Sequence, residues 1–362
     1  MPRGLSLRGK CCYLNRTLTR GPVPSGRHPK TQGRVQYIGG SQLKFHKDSL
    51  KIDGAKVCDE LTETIRLQIR RTLRKSGAVV GISGGIDSSV VLALCARALG
   101  PDRVLGVMMP ERDSSPDSLT LARKLADHFG IQTAVEDISN GLEGLGCYRR
   151  RDDAIKQVFP EYGPGFKNKI TIPTNILDKE TFNFFNLTVE SPDGEVRTKR
   201  LPVEAYLQIV AASNYKQRLR MTTLYYHAEK RNYAVAGTGN KDEHWQGFFV
   251  KYGDGGADLK PIAHLFKVQV FQLAEALGVP PEIIGRVPTT DTYSAGSTQE
   301  EFFFGLDFYR MDILWYAMEN GVAPEVAAGV LDLTPDQVVR AYKNIQRKID
   351  ATEFLRIPPL EI

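Results

Sequence analysis

The stretch Gly81-Ile82-Ser83-Gly84-Gly85-Ile86-Asp87-Ser88-Ser89 combines the residue types that hold a chain of phosphates. Adjacent glycines let the backbone come close to an anion, and the free N–H groups at the start of a helix point at it as donors. Ser83, Ser88 and Ser89 add hydroxyls, and Asp87 can hold a divalent cation against the phosphates. The lysine of a Walker loop is missing, which argues against kinase or GTPase phosphoryl transfer.

Such a loop works only between a strand and a helix, and the flanking sequence supplies both. Over residues 53–75, Val57, Leu61, Ile65, Ile69 and Leu73 recur in steps of four, one face of an amphipathic helix that Gly77 stops. Residues 78–83 read as a short strand too uniformly apolar to be half exposed. A buried helix over 88–96 ends near Gly100, a second strand spans 104–109, and a helix over 118–130 carries Leu121, Leu125 and Phe129 on one stripe. A third strand follows at 131–135. This alternation predicts an α/β fold, a parallel sheet flanked by helices on both faces. Residues 140–203 break the rhythm with Gly163-Pro164-Gly165 and Ser191-Pro192-Asp193-Gly194, and read as an insertion holding one hairpin near Val189-Glu190 and Val196. Regular structure resumes with a helix over 203–231, a strand at 233–237, and helices near 267–277, 300–320 and 335–350. The pattern from Val326 to Val339 has the look of a DNA-reading helix-turn-helix, but paired packing helices are the commoner outcome.

Composition narrows the classes further. The 362 residues are 41% hydrophobic, ordinary for a globular protein, and no run approaches the roughly 20 apolar residues of a membrane span. The net charge of +6 is local. Residues 1–35 hold Arg3, Arg8, Lys10, Arg16, Arg20, Arg27, Lys30 and Arg34 without an acid, in a Gly-, Pro- and Ser-containing stretch lacking periodicity and any secretory-type apolar run. We read residues 1–50 as a disordered basic arm, residues 51–362 as the catalytic domain, and nucleic acid as no main partner. Cys11, Cys12, Cys58, Cys95 and Cys147 form an odd set without metal-ligand spacing, which suits reduced thiols and a cytoplasmic location.

Ser-Gly-Gly-x-Asp-Ser after a first strand resembles the pyrophosphate loop of ATP pyrophosphatases, enzymes that adenylylate a substrate oxygen and release pyrophosphate. That class includes NAD synthetase, GMP synthetase, asparagine synthetase and tRNA-thiolating enzymes, and the loop alone does not choose among them. A second segment does. Gly237-Thr238-Gly239-Asn240-Lys241-Asp242-Glu243, followed by Gly247-Phe248-Phe249-Val250-Lys251-Tyr252-Gly253-Asp254-Gly255-Gly256-Ala257-Asp258 and then Pro261, is similar to the hallmark of NAD synthetases. Arg218-Leu219-Arg220-Met221, Lys267 and Pro288-Thr289 match further family positions, so the likeness spans roughly residues 80–290.

The resemblance implies an adenine nucleotide alpha-hydrolase-like fold and amidation of deamido-NAD+ to NAD+ by ammonia, through an adenylated intermediate with release of AMP and pyrophosphate. It implies ATP binding by Gly81, Ile82, Ser83, Gly84, Gly85, Ile86, Asp87, Ser88, Thr238, Lys267 and Thr289. Asp87 and Glu243 would share Mg2+, a hard cation suited to carboxylates. Arg218, Lys251 and Asp258 would grip deamido-NAD+, and a homodimer is expected. About 50 residues precede the first helix, too few for the glutaminase-like domain of glutamine-dependent relatives, although residues 110–118 resemble that branch. Nitrogen would then come from free ammonia or a separate glutaminase subunit. Two departures stand out: the length of the 140–203 insertion, and Leu355 in Glu353-Phe354-Leu355-Arg356-Ile357-Pro358-Pro359, where the family tends to keep a lysine that helps hold the dinucleotide. They leave open a related amide ligase or ATP pyrophosphatase acting on another carboxylate or on tRNA. Neither His244 nor His264 has a partner pattern for triad chemistry, and neither is given a role.

Overall fold

Asp53 opens the first helix, α1 (Gly54–Leu67), by accepting the Lys56 N–H at 3.1 Å, an N-cap that satisfies one of the donors left over at a helix start. An apolar repeat of four drifts about 40° per step around an ideal helix of 3.6 residues per turn. A wider π turn over Gln68–Thr72 follows α1 directly, and Ile69 within it is completely buried. The computed structural model describes residues 45–172, 177, 185–289, 293–296 and 298–361, so the basic arm up to residue 44 lies outside the described residues.

The alternation read from the sequence follows. Strand β1 (Ala78–Gly81) leads into α2 (Ile86–Leu99), β2 (Val104–Met108) into α3 (Pro116–Phe129), and β3 (Gln132–Val135) into α4 (Ser139–Gly144) and α5 (Cys147–Lys156). A meander of β4 (Lys167–Thr171), β5 (Asn186–Glu190) and β6 (Val196–Arg200) precedes the long helix α6 (Val203–Arg231), strand β7 (Ala234–Ala236) and short helix α7 (Lys241–Gln246). Helices α8 (Lys267–Leu277), α9 (Pro281–Ile284), α10 (Phe308–Glu319), α11 (Pro324–Leu331), α12 (Pro335–Ala351) and α13 (Glu353–Arg356) complete the chain.

The main sheet has the order β3-β2-β1-β7, every pair parallel. Ala78, Val80, Val104 and Ala236 on one face pack with Ile65 of α1, Val91 of α2 and Val270 of α8. The alternate residues Val79, Leu105, Val107 and Val235 face Met221, Leu224 and Ala228 of α6. Helices therefore cover both faces, and both sets of side chains are buried, the condition for a strand that reads as one apolar run.

The 140–203 region is more ordered than a loop with a hairpin. The β5–β6 hairpin is present, and β4 joins it to make an antiparallel sheet of order β4-β5-β6. Its inner face, with Ile170, Leu187 and Val189, packs on Ala154 and Ile155 of α5 and Ala205 and Ile209 of α6. The pair α11–α12 packs with α10: Val338, Ala341 and Ile345 of α12 lie in one core with Trp315, Ala327 and Leu331. Phe45 and Leu50 enter this core too, so residues 45–50, read from the sequence as part of the disordered arm, belong to the folded domain. The helix read over 300–320 is interrupted, a π turn at Glu300–Phe304 ending at Gly305 (φ 75°) before α10 begins.

Candidate active site

The diglycine bend joins the C-terminal end of β1 to the N-terminus of α2. Gly84 has φ 73°, and a Cβ there would stand 2.8 Å from both the Leu121 Cβ and the Ser118 carbonyl of α3, so only glycine fits. Gly85 faces the other way, meeting only Ser83 Oγ at 3.3 Å. Ser88 and Ser89 each donate to the Gly85 carbonyl at 2.9 Å, and the Gly85 N–H donates to Ser83 Oγ at 3.3 Å. The hydroxyls thus brace the bend, while the α2 N-terminus opens onto a cavity of about 790 Å³.

Asp87, in the first turn of α2, faces that cavity together with Glu243 of α7 and Lys267 of α8. Lys267 is fully buried and ion-pairs with Asp87 Oδ2. Asn240 ties the acids together: its Nδ2 donates to Asp87 Oδ1 at 3.0 Å. Its Oδ1 accepts the Glu243 N–H at 3.0 Å, and its own N–H donates to Glu243 Oε2 at 3.2 Å. This capping box starts α7 and brings Asp87 and Glu243, far apart in sequence, to opposite sides of one amide. Burial, reinforced by the Asp87 charge, pushes the Glu243 carboxyl up to about 8. Burial works against the Lys267 ammonium, but Asp87 and Glu243 outweigh it and hold Lys267 above its ordinary value. One lysine therefore faces an excess of carboxylate, a donor set that accommodates a further cation.

A second pair of acids holds Lys267 from behind. Asp242 Oδ2 accepts the Lys267 N–H and Asp312 Oδ2 accepts the Val268 N–H, both at 2.9 Å, capping the first turn of α8. Both side chains are fully buried, and desolvation raises both carboxyls, Asp242 to about 7 and Asp312 well above the usual range.

Of the residues singled out in the sequence, Gly81, Ile82, Ser83, Gly85, Ile86, Asp87, Ser88, Arg218, Thr238, Glu243, Lys267 and Thr289 line the cavity. Gly84 backs onto α3 instead. Lys251 and Asp258 are not brought to this wall. Lys251 Nζ donates to the carbonyls of Phe354 (3.1 Å) and Ile357 (2.8 Å), holding the tail, and Asp258 accepts from the Val235 N–H (2.8 Å) and the Tyr225 hydroxyl (3.0 Å), bracing β7. The tail reaches the cavity through Phe354 and Leu355.

Sequence reasoning missed several participants. Asn240 was findable, because Asn-x-x-Glu is a capping-box spacing. Gln299, which donates to Glu243 Oε1 at 3.3 Å, and Arg286, which donates to the Gly84 carbonyl at 3.4 Å and Ser118 Oγ at 3.0 Å, carry no local signal. Nor does the ion cluster behind the loop after β2, where buried Lys216 donates to Glu111 (2.9 Å) and Asp113 (2.8 Å) and Arg151 pairs with Asp113.

A parallel sheet whose first strand-to-helix bend is a diglycine turn, faced by two acids and a buried lysine, has the architecture of an α/β enzyme of the pyrophosphate-loop type. The chain belongs to the NAD synthase family, whose model matches residues 57–156 and 171–359. It is 52% identical over 311 residues to the NH(3)-dependent NAD(+) synthetase of Mesorhizobium japonicum, covering 86% of this chain and 97% of that one. Among solved structures, the NH3-dependent NAD synthetase of Campylobacter jejuni is similar in fold, with a TM-score of 0.56 at 21% identity, over 86% of this chain and 100% of that one. The NMN synthetase of Francisella tularensis is similar to the same degree, with a TM-score of 0.55 at 21% identity over 86% and 99%. The fold is thus shared across synthetases of different names.

Proposed function

We propose that this protein makes NAD+ from deamido-NAD+, ATP and free ammonia. The observation that carries the reading is the Asp87–Asn240–Glu243–Lys267 cluster at the phosphate cradle, in a chain about half identical to an ammonia-dependent NAD synthetase over most of its length. The nicotinate carboxylate oxygen attacks the α-phosphorus of ATP, the bond to the β-phosphate oxygen breaks, and pyrophosphate leaves. Ammonia then attacks the acyl carbon and loses a proton, and AMP departs with the electron pair of the broken acyl–oxygen bond.

No protein nucleophile is required, so the residues act by placement and charge. The N–H groups of the α2 N-terminus with Ser83 and Ser88 receive the phosphates, Thr238 and Thr289 bond ATP from the facing wall, and Lys267 offsets the charge that builds on departing pyrophosphate. Asp87 and Glu243 fit Mg2+, which needs only one or two carboxylates when phosphates and waters complete its shell. When bound it supplies neutralising charge beside the triphosphate. Arg218 at the cavity wall is suited to a phosphate of the dinucleotide. Lys251 contributes by holding the tail, and Asp258 by bracing β7. The aromatic rings of Phe302 and Phe303 on the far wall help exclude water from the adenylated intermediate.

The working unit we propose is a homodimer, supported by Val203 and Leu207, exposed one turn apart at the start of α6. None of the described helices is long and apolar enough to cross a membrane, and the buried thiols Cys58, Cys95 and Cys147 suit the reducing cytoplasm. The deciding experiment is incubation with deamido-NAD+, Mg-ATP and ammonium, with glutamine in a parallel reaction. NAD+, AMP and pyrophosphate should form in equal amounts with ammonium, and not with glutamine unless a glutaminase is added. ATP–pyrophosphate exchange driven by a different carboxylic acid, without NAD+, would overturn the reading.

A further inference from the structure

The β4-β5-β6 sheet touches a segment that borders the ATP cavity. On the outer edge of β4, Asn168 is completely buried and exchanges backbone and side-chain bonds with residues 294–295. Its carbonyl accepts the Ala295 N–H at 3.0 Å, its N–H donates to Ser294 Oγ at 3.0 Å, and its side-chain amide reaches Ser294 Oγ at 3.3 Å and the Tyr162 hydroxyl at 2.7 Å. Both hydroxyls can donate or accept, so the junction survives either orientation of the amide. Tyr293 beside it is buried in the core of this same sheet and packs on Phe302, with ring centroids 5.3 Å apart.

The other end of the segment is at the site. Thr289 bridges Thr298, the Gln299 N–H donates to the Pro288 carbonyl at 3.1 Å, and the Gln299 side chain donates to Glu243. Pro288, Thr289, Tyr293, Gln299 and Phe302 all line the cavity. Two anchors therefore hold one cavity wall, Gln299–Glu243 at the acid cluster and Asn168–Ser294 at the antiparallel sheet.

We propose that Asn168 is a positioning residue for ATP: the sheet built from the insertion fixes residues 293–296, and so keeps the Thr289–Thr298 bridge and Gln299 in register with Glu243. The inference rests on the reading of this cavity as the ATP site. A fixed donor beside a carboxylate costs no ordering when the nucleotide arrives, whereas a released segment must be ordered at that moment and lowers affinity.

The test compares Asn168→Ala and the milder Ser294→Ala with the unaltered protein, by calorimetric titration with Mg-ATP alone and by amide hydrogen exchange of residues 293–299. We expect ATP affinity to fall about five- to thirtyfold in Asn168→Ala, the scale of one or two lost hydrogen bonds, and less in Ser294→Ala. Exchange at Ala295 should quicken in both, and KM for ATP should rise far more than kcat falls. Variants that exchange faster yet bind Mg-ATP as tightly as the unaltered chain would overturn the positioning role, and unchanged exchange would overturn the anchor itself. Absence of Mg-ATP binding by the unaltered protein would instead sink the ATP site, a result readable before any variant is made.

Discussion

Asparagine at position 87 keeps the shape of the side chain and the bond from Asn240 but deletes the charge that faces Lys267. At a contact of about 3 Å and an effective dielectric constant of about 20, the lost attraction is 332/(20 × 3), roughly 5 kcal/mol. Much of that is returned, because Asp87 itself no longer has to be desolvated and because the neighbouring acid responds. The Asp87 charge is part of what holds Glu243 up near 8, so without it Glu243 ionises more readily and takes over as counter-ion to Lys267. We therefore expect Asp87→Asn to fold with a loss of about 1–3 kcal/mol, well below the 3–5 kcal/mol typical of an orphaned buried charge. Turnover should suffer more. With one cation-holding carboxylate gone and the other engaged by Lys267, loss of about 3–5 kcal/mol of transition-state stabilisation lowers kcat/KM by two to four orders of magnitude. Pyrophosphate release across a Mg2+ titration, with urea unfolding of the same preparation, reads both quantities. Turnover like the unaltered enzyme's at the same half-saturating Mg2+ would remove Asp87 from the cation site. Unfolding by more than about 5 kcal/mol would show that Glu243 does not compensate.

Gly84→Ala should retain the fold at a cost of about 2 kcal/mol or more, since its Cβ would press on Leu121 and the Ser118 carbonyl at positive φ, and should lose the thermal shift induced by Mg-ATP. A normal shift would refute the fit of the cradle. The native protein keeps a proton on Glu243 that the unfolded chain releases near pH 4.5, so ligand-free stability should decline as pH rises from about 4.5 to about 8, by a few kcal/mol at most. Urea unfolding of Glu243→Gln should make that decline shallower, above all between about pH 7 and 8, leaving the part carried by the raised Asp242 and Asp312 carboxyls, and a pH profile parallel to that of the unaltered protein would show that Glu243 carries none of it. Because cation binding needs the ionised carboxylate, Mg-ATP should stabilise the protein more at pH 8 than at pH 6. Arg218→Ala should raise KM for deamido-NAD+ about tenfold or more while leaving KM for ATP within twofold, as expected for a lost phosphate contact. An equal rise in both would place Arg218 on the nucleotide triphosphate instead.

Local chemistry was legible wherever residue type and short-range geometry decide the outcome. Short apolar runs marked β1 and β2, the strand read at 131–135 and the helix read over 203–231 match β3 and α6, and the two glycines after β1 marked the bend that leads into α2. The 140–203 region was less legible because β4 has alternating burial in a strand of Lys, Asn and Thr, and its pairing with β5 depends on a core supplied by α5 and α6. Lys251 and Asp258 look like binding residues from their motif alone, yet the carbonyls of the tail and the N–H of Val235 claim them, partners that only the folded chain brings near.

The amino-acid order by itself determined the alternation of strand and helix, the diglycine bend between β1 and α2, and the presence of acids and a lysine available to a site there. Those follow from backbone sterics and periodicity, which act over a few residues. Tertiary structure alone decided which acids meet. Asp87 and Glu243 are joined through Asn240, Lys267 is buried between them, and Gln299 arrives on a segment tied to Asn168. Electrostatic effects depend on separation in space and on exclusion from water, and neither is written in the spacing along the chain.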